Sequence, residues 1–150
     1  NMATLTATIS ESITLNGATR GNTNTFSVAD ITNTFERIVT LPHSATTTIA
    51  TFSANVYDSS GAIDTENVRY IRVTNLSSAE NIELGVAGVA SNYTILIPAN
   101  NSHIIARAED VMVAEADAVP SYGALADITK LEVRPTATTD VNVEIFVATL

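Results

Sequence analysis

Polar and apolar residues alternate with a period of two along the first fifteen positions. Leu5, Ala7, Ile9, Ile13 and Leu15 fall on one side, and Thr4, Thr6, Thr8, Ser10, Ser12 and Thr14 fall on the other; Glu11 alone interrupts the apolar row. Successive side chains of an extended chain point to opposite faces, so the pattern predicts a half-buried strand over residues 3–15. Asn16-Gly17 follows as a turn pair that tolerates positive φ. Residues 18–25 are mostly polar and read as a loop, followed by a short strand at 26–28.

Further strands are expected at 35–41, ended by Pro42, and at 46–57, with a short helix at 31–37 as the competing reading of the first. Val, Ile and aromatic enrichment predicts strands at 68–74 and 82–89, joined as a hairpin by the polar link 75–81. Residues 93–97 form another strand, closed by Pro98 and the turn Ala99-Asn100-Asn101-Ser102, after which 103–107 continues extended. Residues 106–118 carry enough Ala, Glu and Met for a helix, with a strand at 111–113 equally supported. A loop over 119–127 leads to a second expected hairpin, 128–133 with 141–147. Eight or nine short strands and at most one short helix predict an all-β, single-domain fold spanning residues 2–150, an antiparallel β-sandwich, jelly roll or related barrel. No fixed-period repeat or low-complexity run divides it. Asn1 before Met2 reads as a vector-derived remnant, and Met2 as a start without a secretory signal.

Composition narrows the chemistry. A chain of 150 residues buries enough surface to fold without staples, and this one has no cysteine, which removes thiol catalysis, thiolate metal sites and disulfides. Seven basic residues against sixteen acidic ones give a formal charge of −9. Lys130 is the sole lysine, and the six arginines are scattered apart from Arg69 and Arg72, so neither nucleic acid nor an anionic membrane is an expected partner. Charged residues are replaced by Ser, Asn and 22 Thr, β-branched side chains suited to a pleated surface with one wet face. No apolar run reaches the roughly 18 residues of a membrane span.

Candidate sites are sparse. Asp58, Asp64 and Glu66 crowd one loop, and several carboxylates on a loop suit Ca²⁺; their spacing is not that of an EF-hand, and a turn with solvated acids is the competing reading. Glu109, Asp110, Glu115 and Asp117 form a second acidic group, read as a solvated edge. His43 and His103 each stand alone in turn sequences, outside any metal-binding spacing, and read as solvated. No nucleophile elbow, phosphate loop or SxxK is present, so no catalytic residue, cofactor or metal ligand is assigned beyond the calcium candidate. With no Trp and few aromatics, stacking platforms for sugars or bases are not expected. Sequons at Asn75, Asn92 and Asn100 are expected by chance in so Asn-, Ser- and Thr-rich a chain, and the Thr rows lack the repeat an ice-binding lattice needs.

The segment Val68-Arg69-Tyr70-Ile71-Arg72-Val73-Thr74-Asn75-Leu76, with Ile82-Glu83-Leu84-Gly85-Val86 after it, is similar to segments of small tail, neck or capsid-accessory proteins of tailed, particularly marine, bacteriophages. The turn at 97–102 and the strand pair 128–133 and 141–148 extend the resemblance over residues 68–150. It implies a non-enzymatic virion structural protein, built in the host cytoplasm, with itself and other virion proteins as partners and a closed homo-oligomer as the default. Two other readings stand beside it. One is a cell-surface adhesin or pilus-type subunit in which residues 3–15 act as a donor strand. The other is a small-ligand or carbohydrate-binding module, marked by a pocket with converging polar groups near His43 or His103.

Overall fold

A computed structural model describes residues 2–55, 61–113 and 122–150, and nearly every element in it is a strand. The strands are β1 (Ala3–Ser10), β2 (Ile13–Leu15), β3 (Ala18–Arg20), β4 (Thr23–Ile31), β5 (Asn33–Leu41), β6 (Thr47–Ser53), β7 (Ile63–Asp64), β8 (Val68–Asn75), β9 (Ile82–Gly88), β10 (Asn92–Ile97), β11 (Ser102–Ile105), β12 (Met112–Val113), β13 (Leu125–Ala126), β14 (Ile128–Pro135) and β15 (Val141–Thr149). One 3-10 turn, Thr65–Asn67, is the sole helical element among the described residues. The helix weighed at 31–37 does not form: β4 ends at Ile31 and β5 runs from Asn33. The helix weighed at 106–118 gives way to the two-residue strand β12 as far as Val113; residues 114–118 lie outside the described residues, as does the end of the strand expected at 46–57.

Two main sheets face each other, ordered β11-β8-β15-β5 and β10-β9-β14-β6-β7. Apart from the short parallel β6–β7 pair, their pairings are antiparallel. The first strand of the first sheet, β5, pairs with the last, β15, and the links β5–β6, β8–β9, β10–β11 and β14–β15 all cross from one sheet to the other. This is jelly-roll connectivity. It corrects both expected hairpins: β8 and β9, like β14 and β15, lie in opposite sheets. Alternation fixes which face of a strand is apolar but not its neighbour, and a five- or six-residue link can arch over the core instead of turning back.

The core lies between the sheets. Val141, Val143, Ile145 and Val147 of β15 face Leu84 and Val86 of β9 and Leu131 and Val133 of β14, all essentially without solvent exposure. Each such side chain contributes roughly 1.5–3 kcal/mol on burial. Among the described residues, every buried side-chain polar atom has a hydrogen-bond partner. The principal one is Asn75, fully buried at the end of β8. Its Nδ2 donates to the carbonyls of Glu80 (2.8 Å) and Ile97 (3.1 Å), and its Oδ1 accepts from the Ser77 N–H (3.0 Å). One side chain thus ties the β8–β9 arch to the end of β10.

The amino-terminal residues stand outside both sheets. β1 and β2 pair with β4 and β3 as one hairpin closed by Asn16 and Gly17, whose φ values of 51° and 78° suit a type I′ turn. Residues 18–25, expected as a loop, are the returning strand. Its signal was the alternation of Thr19, Thr23, Thr25 and Ser27 with Arg20, Asn24, Phe26 and Val28, symmetrical about Asn16-Gly17.

Candidate functional site

The hairpin forms a ribbon with two chemically distinct faces. Cross-strand pairs on one face are all hydroxyls: Thr6 with Ser27 (3.4 Å), Thr8 with Thr25 (3.0 Å), Ser10 with Thr23 (2.9 Å) and Thr14 with Thr19 (3.5 Å). The other face pairs Leu5 with Val28, Ala7 with Phe26, Ile9 with Asn24, Ile13 with Arg20 and Leu15 with Ala18. Near the ribbon's base this apolar face packs on the outer side of the first sheet. Leu5, Ala7 and Val28 meet Ile31, Tyr70, Phe146 and Ala148. Tyr70 is the hinge of this contact, with ring centroids 6.0 Å from both Phe26 and Phe146. A cleft of about 290 Å³ continues between ribbon and sheet, where Ile9 and Phe26 share walls with Arg72 and with Ile104 of edge strand β11.

Beyond Ile9 no described residue covers the ribbon. Every residue from Thr8 to Ser27 is exposed, Ile13 at 59% and Leu15 at 54%. The strand expected to be half-buried along its length is therefore half-buried only at Leu5 and Ala7. The break falls at Glu11 and Ser12, opposite Gly21 and Asn22, where the Glu11 N–H donates to the Asn22 carbonyl at 2.9 Å. Gly21 has φ +118°, and a Cβ there would sit 2.6 Å from the Glu11 carbonyl carbon, so only glycine permits this close approach. The expected donor strand, β1, is taken up by its own chain through β4, with its other edge open.

The other candidates separate. Asp64 caps the 3-10 turn, accepting from the Glu66 N–H (3.1 Å) and Asn67 Nδ2 (3.0 Å), while Glu66 is exposed and offers its carbonyl to Arg69 (2.7 Å). Asp58 lies outside the described residues, as do Glu115 and Asp117. Among the described residues, no group of three His, Asp or Glu is arranged to hold a metal ion. Glu109 pairs with Arg107 and stands 4.0 Å from Arg69. His43 and His103 do not meet. The His43 ring lies 2.7 Å from Asp140, whose carboxyl that bond, together with one from the His43 N–H, holds below its usual range. His103 contacts the Tyr93 hydroxyl through Nε2 (3.1 Å), and burial lowers the imidazole's pKa and raises the phenol's. Neither histidine lines the clefts of about 420 Å³, one bounded by Phe35, Arg37, Asp64 and Asn67, the other by Asn92, Tyr93 and Lys130. Asn75, one of the sequon asparagines, is buried and engaged on both ends of its amide.

Among the described residues no helix is long and apolar enough to cross a membrane. Compared with known proteins, the chain matches no family model and no curated protein.

Proposed function

We propose that this chain is a non-enzymatic structural subunit of a bacteriophage particle, a capsid-decoration, neck or tail-accessory protein that acts through contacts with copies of itself and with other virion proteins. The observation that carries the reading is the ribbon. A two-stranded ribbon open on both faces is marginal in water, and one with an apolar stripe is a surface awaiting a protein partner. The jelly-roll sandwich is a recurrent architecture of viral shells, although it also serves lectins and enzymes, so the fold supports the reading only alongside the ribbon. The resemblance of residues 68–150 to tailed-phage accessory proteins is read from the sequence alone and is part of the same proposal.

Two measurements test it. Light scattering coupled to size exclusion should return a stable homo-oligomer at micromolar concentration; a monomer throughout overturns self-assembly. In a lysate of the phage that encodes it, the chain should sediment with intact particles. Recovery with the cell envelope instead would replace this reading with the surface-subunit one.

A further inference from the structure

We propose that the far end of the ribbon is an arm that docks on a second copy of this chain, seating Ile13, Leu15 and Ala18 on the part of the outer sheet face around Ile38 that the chain's own ribbon leaves bare. The inference rests on the assembly reading above and names the surface through which it operates.

The argument begins with two incomplete halves. On the ribbon, Glu11 and Asn22 separate a docked apolar patch from a free one. On the sheet, the outward residues follow the register of β5 on β15 and of β15 on β8. Thr34, Ala148 and Tyr70 form one row, Glu36, Phe146 and Arg72 the next, and Ile38, Glu144 and Thr74 a third. The chain's own ribbon packs on Tyr70, Phe146 and Ala148 of the first two rows and leaves Thr34 and Glu36 of edge strand β5 exposed. The third lies open, with Ile38 exposed at 65% in the middle of a β-strand. An isolated exposed Ile needs no explanation, but here Ile38 stands at the row's outer end beside the half-buried, polar Glu144 and Thr74, and the bare ribbon patch of Ile13, Leu15 and Ala18 offers it apolar cover.

Charge supports the match. Arg20 stands directly across from Ile13 on the free patch, and Glu36 borders Ile38 on the sheet. Neither has an ion-pair partner among the described residues, whereas Arg72 and Glu144 on the same face are already paired with each other. Arm docking would bring Arg20 of one copy to Glu36 of the next.

Symmetry supplies the path. The ribbon passes over β15 and β8 and reaches Ile104 of β11, which is an edge strand of its sheet among the described residues. Antiparallel pairing of β11 with the same strand of a second copy would join the two sheets about a dyad and reverse the order of their rows. Each arm would then leave the Tyr70 rows of its own sheet and arrive on the Ile38 row of its neighbour. An arm of residues 10–15 and 18–23 is about 20 Å long and about 10 Å wide. Two reciprocal arms therefore bury on the order of 800 Å² counting both sides, and the β11 seam brings the contact to roughly the 1,200 Å² that a specific dimer needs. The hydroxyl ladder stays in water.

The absence of cysteine makes the test direct. Leu15→Cys and Ile38→Cys, each prepared separately, are mixed in equal amounts, oxidised and run without reductant, with Val89→Cys, on another exposed position, as the control. The expected result is a disulfide-linked heterodimer of the two variants, confirmed by peptide mass, and none with the control. Arg20→Glu should weaken association at least about tenfold, and Glu36→Arg in the same chain should restore it. Circular dichroism verifies that these exposed substitutions leave the sandwich folded. If the unaltered chain is oligomeric but the heterodimer does not form, arm docking is wrong and the assembly reading stands. A Leu15–Ile38 disulfide confined to single chains of the doubly substituted protein likewise overturns it. A monomeric unaltered chain overturns both.

Discussion

Asn75→Ala should cost far more than an ordinary polar-to-alanine change, because one side chain serves three backbone groups at the point where the chain arches between sheets. The substitution strips a donor from the Glu80 and Ile97 carbonyls and an acceptor from the Ser77 N–H. Leaving a buried polar group unpaired costs about 1–3 kcal/mol, and each partly exposed bond contributes nearer 1 kcal/mol. The Ile97 bond is fully buried and the other two are partly so, which places the total at about 3–5 kcal/mol. For a domain of this length that lowers Tm by roughly 6–20 °C. The backbone N–H groups of Asn75 and Leu76 keep their partners, the carbonyls of Asn101 and Asn142, so the fold itself should survive. Urea unfolding followed by circular dichroism would measure the loss. Asn75→Asp is the sharper control: it keeps the shape and the acceptor but removes both donors, and should be at least as damaging. A loss below about 0.5 kcal/mol for Asn75→Ala would refute the claim that this side chain clamps the arch.

Gly21→Ala forces a Cβ against the Glu11 backbone at positive φ and should disturb the ribbon by about 1–3 kcal/mol of strain while leaving the sandwich's Tm nearly unchanged. Faster proteolysis confined to residues 8–27 would confirm it, and unaltered protection would refute it. The two histidine sites predict separate pH limbs. Asp140's carboxyl is held low when folded, so its contribution is present above the unfolded value near 3.8 and disappears as pH falls through the folded one; Asp140→Asn should flatten stability only in that acid range. His103 is depressed by burial, so the folded state resists its protonation and stability declines as pH drops below 6.5 toward the folded value; an NMR titration should place its midpoint below 6.5.

Much of the sandwich was legible because its strands carry strict alternation. The row Val141, Val143, Ile145, Val147, with Asn142 and Glu144 between, leaves no choice of buried face. What alternation could not say is whether β15 turns back on β14 or crosses the core from it, since both arrangements bury the same residues. Strand partners follow from the whole set of sheet edges, which no single segment encodes. The two-residue β12 falls below the length at which period separates strand from helix, so both readings of 106–118 were open. Asn75 was visible only as a sequon, because a buried amide leaves no mark distinguishing it from a surface one.

The ribbon differs in kind from these misses. Its period was read correctly and its burial was not. Leu5, Ala7, Ile9, Ile13 and Leu15 obey the rule for a strand with one face in a core, yet only the first two are even half-buried by the chain itself. Sequence and structure agree wherever the sandwich satisfies its own pattern, and a local rule obeyed without its usual reward marks a place where the requirement lies elsewhere. The hydroxyl pairs do not meet it, for cross-strand contacts of that kind contribute only about 0.2–1 kcal/mol each. Nor does flexibility explain it, because a wholly polar ribbon would be as mobile and more soluble. An apolar stripe kept in register to the tip of a hairpin is the feature that the proposed docking on another copy, at its Ile38, would bury.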